Sequence, residues 1–266
     1  MTITVFTSNQ PRHIALIESL SSIATRVFAI QECNTIFPGQ VDDFFRKSPV
    51  MQDYFSRVIA AEREVFGASR FLPASARSMS IKMGDLSRLS PDDLGEAMES
   101  DAFVVFGASY IKGPLCEALL ERRALNIHMG VSPYYRGSST NFWAMYDNRP
   151  DLVGATIHLL SRGLDSGPML FHALPRVDAV DPFVYGMRAV QAAHIGLVNY
   201  LKGVQVEPVM QDKSRELRYA RNADFTDEVA REYLERLPGP KQMEGSLHSR
   251  DMSQFLRPFV HCQPND

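Results

Sequence analysis

The sequence has few of the features expected of a secreted, membrane-bound or nucleic-acid-binding protein. Its three cysteines, Cys33, Cys116 and Cys262, are odd in number and widely spaced, which predicts a reducing compartment rather than a disulfide framework. It has no run of about 18 apolar residues, so we expect no transmembrane helix. A net charge of −3 provides no basic surface for nucleic acid or an anionic membrane. We therefore predict a cytoplasmic protein that has neither nucleic acid nor a membrane as a partner.

Apolar runs alternate with helical patterns along the first part of the chain. Residues 3–6 and 27–30 predict two strands, and between them lie a polar turn and a helix with Leu16, Leu20 and Ile23 on one face. This order is typical of a Rossmann-like, doubly wound sheet. The turn after the first strand has no glycine-rich phosphate fingerprint, which argues against a dinucleotide. Because residues 102–106 are typical of a buried parallel strand, we predict an α/β fold with a mainly parallel sheet.

The predicted organisation is one main domain with an insertion and a short extension. Residues 1–203 carry the alternating patterns and end in a long helix that begins near residue 181. Residues 34–77 are less regular and are interpreted as an insertion, with a helix expected to start at Ser48-Pro49. Another helix is predicted to begin at Ser90-Pro91. Residues 204–266 are polar and arginine-rich, and they form the predicted C-terminal extension.

Polar residues that could carry chemistry follow the predicted strands. Asn126 and His128 stand two positions apart in a strand, so both side chains point to one face near its carboxyl end, where such sheets bind ligands. Asp165 follows later, between Gly163 and Gly167. Each residue alone has a structural alternative, because strand ends and turns often carry polar side chains that only make local hydrogen bonds. Histidines and cysteines have no metal-ligand spacing, so no metal is expected.

Three segments, Asn126-Ile127-His128 through Arg136-Gly137, residues 154–158 (Gly-Ala-Thr-Ile-His) and residues 163–167 (Gly-Leu-Asp-Ser-Gly), carry a family resemblance. They resemble the folate-dependent formyltransferases, which include glycinamide ribonucleotide, methionyl-tRNA and nucleotide-sugar formyltransferases. The resemblance implies the formyltransferase fold, 10-formyltetrahydrofolate as formyl donor, and Asn126, His128 and Asp165 as catalytic residues. It implies a folate-binding site made of Phe106, Gly107, Ala108, Ser109, Tyr110, Ile111, Gly163 and Leu164. Met-Gly-Val at residues 129–131 departs from the more usual Pro-Ser-Leu.

The implied chemistry explains why these residue types are needed. An amine that attacks a formyl carbon builds negative charge on the formyl oxygen, and the amide of Asn126 can donate a hydrogen bond there without titrating. The attacking nitrogen must lose a proton, for which a histidine with a pKa near ~6.5 is suited. Asp165 can orient the imidazole of His128, stabilise its charged form and hold a water that passes the proton to the leaving nitrogen. His158 also fits the family pattern, but as a mid-strand residue it could equally be structural.

The C-terminal part of the sequence favours one branch of the family. Residues 216–225 look similar to the segment after the core in nucleotide-sugar N-formyltransferases. We therefore expect the acceptor to be a nucleotide-linked amino sugar, such as GDP-perosamine or a dTDP-linked 3- or 4-amino-dideoxyhexose, used for lipopolysaccharide O-antigen or another surface polysaccharide. Asn9, Arg12 and His13, after the first strand, could contact the diphosphate or sugar. Arg136 could anchor a phosphate or only fix its loop. We also expect that the protein could form a homodimer.

Other functions remain as alternatives at this point. Methionyl-tRNA formyltransferases carry an additional C-terminal domain that helps to hold a large anionic RNA, and the net charge of −3 disfavours that branch. Glycinamide ribonucleotide formyltransferases are usually shorter and lack an insertion like residues 34–77. A formyltetrahydrofolate hydrolase would use the same three polar residues with water as acceptor, and usually carries an N-terminal regulatory domain. A binding module without catalysis would not need to keep all three.

Overall fold

Regular structure covers most of residues 1–38 and 48–261, the residues that the computed structural model describes. The strands are β1 (Thr2–Ser8), β2 (Arg26–Cys33), β3 (Ala76–Lys82), β4 (Ala102–Val105), β5 (Leu125–His128), β6 (Tyr135–Gly137), β7 (Ala155–Leu159), β8 (Met169–Pro175), β9 (Arg218–Ala220) and β10 (Phe259–His261). The α-helices are α1 (Pro11–Ser21), α2 (Pro49–Phe66), α3 (Pro91–Leu94), α4 (Gly113–Glu121), α5 (Thr140–Tyr146), α6 (Pro182–Leu201), α7 (Asp227–Glu235) and α8 (Pro240–His248). The two strands and the helix predicted within residues 1–30 are confirmed, except that α1 ends at Ser21, so Ile23, predicted to lie on its apolar face, follows the helix.

The main sheet is mixed but largely parallel. Its strand order is β10-β8-β7-β5-β4-β1-β2-β3. Strand β7 is antiparallel to both of its neighbours, β5 and β8, and the remaining pairs among the described strands are parallel. The predicted α/β fold with a mainly parallel sheet is therefore confirmed.

Helices cover both faces of this sheet. In β1, Ile3 and Val5 are fully buried on one face, in the cluster that contains Leu16 and Leu20 of α1. On the opposite face, Phe6 packs in a second cluster with α4. Side chains alternate between the two faces of a strand, so a strand that is apolar at consecutive positions needs a cover on each side. This packing holds the carboxyl ends of β1, β4 and β5 at one edge, where the site lies.

The predicted insertion and extension are packed into the main body. Helix α2, in the insertion, contacts α1, α6 and α7. The insertion also contains the start of β3, which pairs with β2 at one end of the sheet. From the extension, β10 pairs with β8 at the other end, and β9 pairs with β6 in a small second sheet. Residues 39–47 of the insertion and Cys262 of the extension lie outside the described residues.

The helix predicted at Ser90-Pro91 is shorter than its strong start suggests. Ser90 does cap it, and Asp93 completes a reciprocal capping box. The α-helix ends after one turn at Leu94 and continues as a 3-10 helix over Gly95–Glu99. Gly95 has a φ of 48°, which is incompatible with a continuing α-helix. The signal for a helix start was therefore correct, and glycine at this position determined where the α-helix stops.

Within residues 1–38 and 48–261, no helix is both long and apolar enough to cross a membrane. In the same residues, no group of three or more histidine, cysteine, aspartate or glutamate side chains is arranged to hold a metal ion.

Candidate active site

The side chains of Asn126 and His128 both contact the carboxylate of Asp165. Asn126 and His128 lie on β5, and Nδ1 of His128 is 3.2 Å from Oδ2 of Asp165. The amide nitrogen of Asn126 donates a hydrogen bond of 3.2 Å to the other oxygen, Oδ1. His128 is buried, and the Asp165 side chain is only 13% exposed. The structure therefore brings together the three predicted catalytic residues, with Asp165 bound to both of the others.

Asp165 reaches β5 because the chain reverses direction after β7. Strand β7 is antiparallel to β5, so Leu159 at its end lies beside Leu125 at the start of β5. The following loop must return along the sheet, and Asp165 adopts a left-handed φ of 45° within it. A Cβ atom on Gly167 would lie 1.8 Å from the carbonyl oxygen of Leu159, so only glycine fits there. The flanking glycine seen in the sequence is thus a steric requirement of this tight return.

The surroundings of His128 favour its protonated form. Its Nε2 lies 3.1 Å from the carbonyl oxygen of Tyr135, and its Nδ1 faces the Asp165 carboxylate. Both neighbours are hydrogen-bond acceptors, and a neutral imidazole can donate from only one nitrogen. Burial alone would lower the pKa of His128, but the Asp165 carboxylate and the hydrogen bond to Tyr135 outweigh burial and raise it. Burial alone would raise the pKa of Asp165, but the adjacent His128 outweighs burial and holds it well below its usual range.

His158 holds the amide of Asn126. It is buried on β7, directly opposite Asn126 in the strand register. Its Nδ1 lies 2.7 Å from the carbonyl oxygen of Leu159, which requires the proton on Nδ1. Its Nε2 then accepts the 2.9 Å hydrogen bond from the Asn126 amide nitrogen. Both N–H groups of Asn126 are therefore used, one on His158 and one on Asp165.

Gly130 explains the departure from the family's usual sequence after the histidine. A Cβ atom at this position would lie 2.4 Å from Oγ1 of Thr140 and 2.8 Å from Nε2 of His128. Thr140 in turn donates a hydrogen bond to the carbonyl oxygen of Met129. The missing side chain lets the His128 ring and Thr140 approach the backbone here, so the loop is tightly packed although its sequence is unusual.

Two cavities meet at His128 and Met129 within the described part of the chain. The first, which we name the loop chamber, has a volume of about 240 Å³ and lies between the backbone loops 106–111 and 160–165. The Tyr110 hydroxyl donates a hydrogen bond to the carbonyl oxygen of Arg162 and so links these two loops. All eight predicted folate-binding residues line this chamber: Phe106, Gly107, Ala108, Ser109, Tyr110, Ile111, Gly163 and Leu164.

The second cavity, which we name the aromatic chamber, lies on the other side of His128. Its volume is about 300 Å³, and four aromatic rings line it: Tyr54 of α2, Phe142 of α5, Phe183 of α6 and Tyr233 of α7. The rings contact one another edge to face, with centroids 4.8 Å apart for Phe142 and Tyr233 and 5.3 Å apart for Tyr54 and Phe183. The insertion and the extension therefore each contribute a wall to this chamber.

Arg12 provides a cationic side chain at the aromatic chamber. It lies on α1 and donates a 2.7 Å hydrogen bond from Nη1 to Oε1 of Glu62, a buried residue of α2. The same Glu62 oxygen accepts a 3.1 Å hydrogen bond from the Arg12 backbone nitrogen. Glu62 thus fixes both the main chain and the guanidinium of Arg12 against the chamber.

The other three predicted substrate contacts lie elsewhere. The Asn9 side chain exchanges hydrogen bonds with the backbone of Asn34 and so joins the ends of β1 and β2. His13 is buried against the Phe106 ring, with centroids 5.0 Å apart. Arg136 forms a 2.8 Å ion pair with Glu216. Of the four residues, only Arg12 lines a chamber that contains His128.

The walls of the aromatic chamber carry no recognisable signal in the sequence. Phe183 lies in the long helix predicted to begin near residue 181, where an apolar stripe is the usual pattern of core residues. Tyr54 lies in the insertion and Tyr233 in the extension, far from the recognised segments. Nothing in the local sequence of these three residues distinguishes a cavity wall from a core.

Comparison with known proteins identifies the domain that contains this site. Residues 84–201 match the family model described as Formyl transferase. The matched range contains Asn126, His128 and Asp165 and the whole loop 106–111. The predicted resemblance to the folate-dependent formyltransferases is therefore confirmed over residues 84–201, which are less than half of the chain.

Curated relatives are similar in sequence to part of this chain. A methionyl-tRNA formyltransferase from Synechococcus sp. (strain JA-3-3Ab) is 30% identical over 153 residues, which are 53% of this chain and 46% of the relative. Another, from Synechocystis sp. (strain ATCC 27184 / PCC 6803 / Kazusa), is 24% identical over 199 residues, 69% of this chain and 59% of the relative. The chain spans about half the length of the curated relatives that it matches.

Solved structures share the fold over most of the chain. The formyltransferase PseJ from Anoxybacillus kamchatkensis, in complex with UDP-4,6-dideoxy-4-formamido-L-AltNAc and tetrahydrofolate, has a TM-score of 0.52 and 16% identity, covering 93% of this chain and 97% of PseJ. A 4-N formyltransferase from Francisella tularensis has a TM-score of 0.50 and 15% identity, covering 84% of this chain and 77% of that one. At these identities the likeness shows a common fold.

Proposed function

We propose that this protein is an enzyme that transfers a formyl group from 10-formyltetrahydrofolate to the amino group of a nucleotide-linked amino sugar. The observation that carries the proposal is the position of His128, which is shared by the loop chamber and the aromatic chamber and is bound to Asp165. A donor in one chamber and an acceptor in the other would meet at this residue. Proximity of two substrates is itself a large part of catalysis in group transfer.

The loop chamber fits the formyl donor. Its walls are the backbones of two loops, which offer N–H and C=O groups to the edge of a flat heteroaromatic ring, and apolar side chains such as Ile111 and Leu160 for its faces. Asn126, His128 and Asp165 lie along the same chamber. When bound, the donor supplies the formyl carbon, and tetrahydrofolate in the PseJ complex supports this choice.

Asn126 is proposed to stabilise the charge that develops on the formyl oxygen. Because both of its N–H groups are used in this structure, one of them must change partner. The 3.2 Å bond to Asp165 is longer than the 2.9 Å bond to His158, so the Asp165 bond is the one we expect to be exchanged. His158 then keeps the amide oriented towards the donor, as a positioning residue.

His128 and Asp165 are proposed to carry out the proton transfer. In the reaction a C–N bond forms at the acceptor amine, the C–N bond to the folate breaks, and one proton passes from the attacking nitrogen to the leaving nitrogen. His128 can accept that proton only in its neutral form, which Asp165 disfavours at rest. Asp165 fixes the ring in place and stabilises the imidazolium that forms.

The aromatic chamber is proposed to hold the amine-bearing part of the acceptor. Aromatic walls suit a compact body with apolar faces, and Arg12 provides a positive charge for an anionic group. The UDP-4,6-dideoxy-4-formamido-L-AltNAc in the PseJ complex supports a nucleotide-linked amino sugar as acceptor. GDP-perosamine or a dTDP-linked 3- or 4-amino-dideoxyhexose, destined for lipopolysaccharide O-antigen, remains a prediction. A cytoplasmic location and a homodimer remain predictions.

Methionyl-tRNA is the second candidate acceptor, because the curated relatives are methionyl-tRNA formyltransferases. Glycinamide ribonucleotide and water are the remaining alternatives.

The test is incubation of the protein with 10-formyltetrahydrofolate and each acceptor separately, followed by mass spectrometry. We expect one amino-sugar nucleotide to gain a formyl group, while the matching hydroxyl sugar does not, because an amine is the better nucleophile at neutral pH. Formylation of methionyl-tRNA alone would favour the second candidate. Equal folate turnover without any acceptor would instead indicate a hydrolase.

A further inference from the structure

Glu32 is a buried carboxylate outside the catalytic cluster. It lies near the carboxyl end of β2, with 0% of its surface exposed. It forms no ion pair with any residue in the described ranges 1–38 and 48–261. A charge in such a position is tolerated only when its oxygens are well supplied with hydrogen-bond donors. The partners of Glu32 therefore indicate why it is there.

Those partners come from two segments that are distant in sequence. Oε2 accepts a 2.6 Å hydrogen bond from the backbone nitrogen of Ser109, and Oε1 accepts one of 2.7 Å from the Ser109 hydroxyl. Oε1 also accepts hydrogen bonds from the backbone nitrogens of Gly84, at 2.8 Å, and Leu86, at 3.4 Å. One carboxylate thus ties the middle of loop 106–111 to residues 84–86 and to β2.

The tied loop is one wall of the loop chamber. Ser109 and its neighbours line that chamber, and the Ser87 hydroxyl donates a further 2.7 Å hydrogen bond to the carbonyl oxygen of Tyr110. Because Glu32 does not itself line either chamber described above, it acts through the loop. We propose that Glu32 is a positioning residue that fixes loop 106–111 in the conformation that binds the formyl donor. This inference rests on the proposed function for the identity of the ligand.

Glu32→Gln is the sharpest variant because it keeps the size of the side chain. A carboxylate accepts hydrogen bonds on both oxygens, whereas an amide has one acceptor and one donor. In either orientation the amide nitrogen faces a group that must itself donate, either the Ser109 N–H or the Gly84 N–H. In each orientation the variant therefore loses at least one of these hydrogen bonds and weakens the connection between the two segments without creating a cavity.

The experiment measures tetrahydrofolate binding to the purified protein, the acceptor KM, the melting temperature and hydrogen exchange. For Glu32→Gln we expect the Kd for tetrahydrofolate to rise at least about tenfold, with the acceptor KM within about twofold of wild type. Without any ligand, the amides of residues 107–111 should exchange about tenfold faster, while those of residues 126–131 should not change. Unchanged folate affinity and loop exchange, or equal weakening of both substrates, would overturn the proposal.

Glu62→Gln is the matched control, because Glu62 is a second buried glutamate that supports Arg12 at the other chamber. It should raise the acceptor KM and leave tetrahydrofolate binding within about twofold. If Glu32→Gln fails to fold, Ser109→Ala removes only the 2.7 Å hydroxyl bond and should raise the tetrahydrofolate Kd about threefold, and no change would overturn the proposal. Wild-type protein that binds no tetrahydrofolate would contradict the proposed function, and loop exchange would still decide the role of Glu32.

Discussion

The loop chamber and the aromatic chamber share His128 but are built in different ways. The loop chamber is made from two short loops, and its lining residues fall between Val105 and Asp165. The aromatic chamber draws its lining from Arg12 in α1 to Tyr233 in α7. The range matched by the family model, residues 84–201, includes all of the first chamber but omits Arg12, Tyr54 and Tyr233 of the second. The loop chamber thus lies wholly within the matched range, whereas the aromatic chamber is completed by segments outside it.

The largest effect on kcat should come from Asp165, which contacts both of the other residues proposed to be catalytic. Asp165→Asn leaves an amide that cannot accept hydrogen bonds from Asn126 and His128 together. We expect kcat to fall about a thousandfold, because loss of an orienting carboxylate leaves the imidazole wrongly protonated and poorly held. Single-turnover formyl transfer measures this. As a control, Asp151→Asn removes a carboxylate that pairs with the nearby Arg149, and kcat should stay within about twofold of wild type.

A smaller loss of kcat is expected when Asn126, the proposed hydrogen-bond donor to the formyl oxygen, is replaced. Asn126→Ala should lower kcat about a hundredfold, in the range for one lost oxyanion contact, with little change in tetrahydrofolate affinity. Steady-state kinetics with binding measurements separates the two. If the variant only raises KM, Asn126 serves in binding and the proposed role is wrong.

His158 gives this prediction a second readout. Because His158 accepts from Asn126, His158→Ala should act through the amide and cost about tenfold in kcat. In a double variant with Asn126→Ala, the two losses should not add, since the amide that His158 positions is already absent. Additive losses would indicate that His158 acts independently.

The difference between the chambers also explains what the sequence could predict. The strands of residues 1–30 and 102–128 are local patterns, and their prediction agrees with the structure. Asn126, His128 and Asp165 were selected by the family resemblance; the structure brings their side chains into contact, and their catalytic roles stay predictions. The return of the chain to bring Asp165 beside β5 was not predictable from strand patterns, because it depends on β7 being antiparallel. Tyr54 and Tyr233 meet only through tertiary packing. From the sequence, Arg136 could either anchor a phosphate or fix its loop, and only the structure shows its ion pair with Glu216.

The aromatic wall can be tested by a variant that separates the two substrates. Tyr54→Ala removes one ring of the aromatic chamber, and we expect the acceptor KM to rise about tenfold while tetrahydrofolate binding does not change. Tyr219→Ala is a suitable control, because Tyr219 is 46% exposed and lines neither chamber. Melting temperatures of both variants check for general destabilisation. Equal changes for donor and acceptor would mean that the two chambers are not independent.

The smallest predicted effect is a shift in the pH profile of kcat/KM. Because Asp165 and the Tyr135 carbonyl outweigh burial and the nearby Arg136, the pKa of His128 lies above its ordinary value of about 6.5. If neutral His128 accepts the proton, kcat/KM should fall about tenfold for each pH unit below that raised pKa. The acid limb of the profile should therefore lie above pH ~6.5 in the wild-type protein.

The acceptor amine can produce a similar limb, because it too must be unprotonated to attack. Asp165→Asn distinguishes the two groups, since loss of the carboxylate lowers the pKa of His128 and leaves the pKa of the free amine unchanged. A limb that belongs to His128 should move to lower pH in the residual activity of this variant, and a limb that belongs to the amine should stay in place. A fixed limb, together with substantial activity in His128→Asn, would remove His128 from proton transfer and leave it as a hydrogen-bond donor to the formyl oxygen.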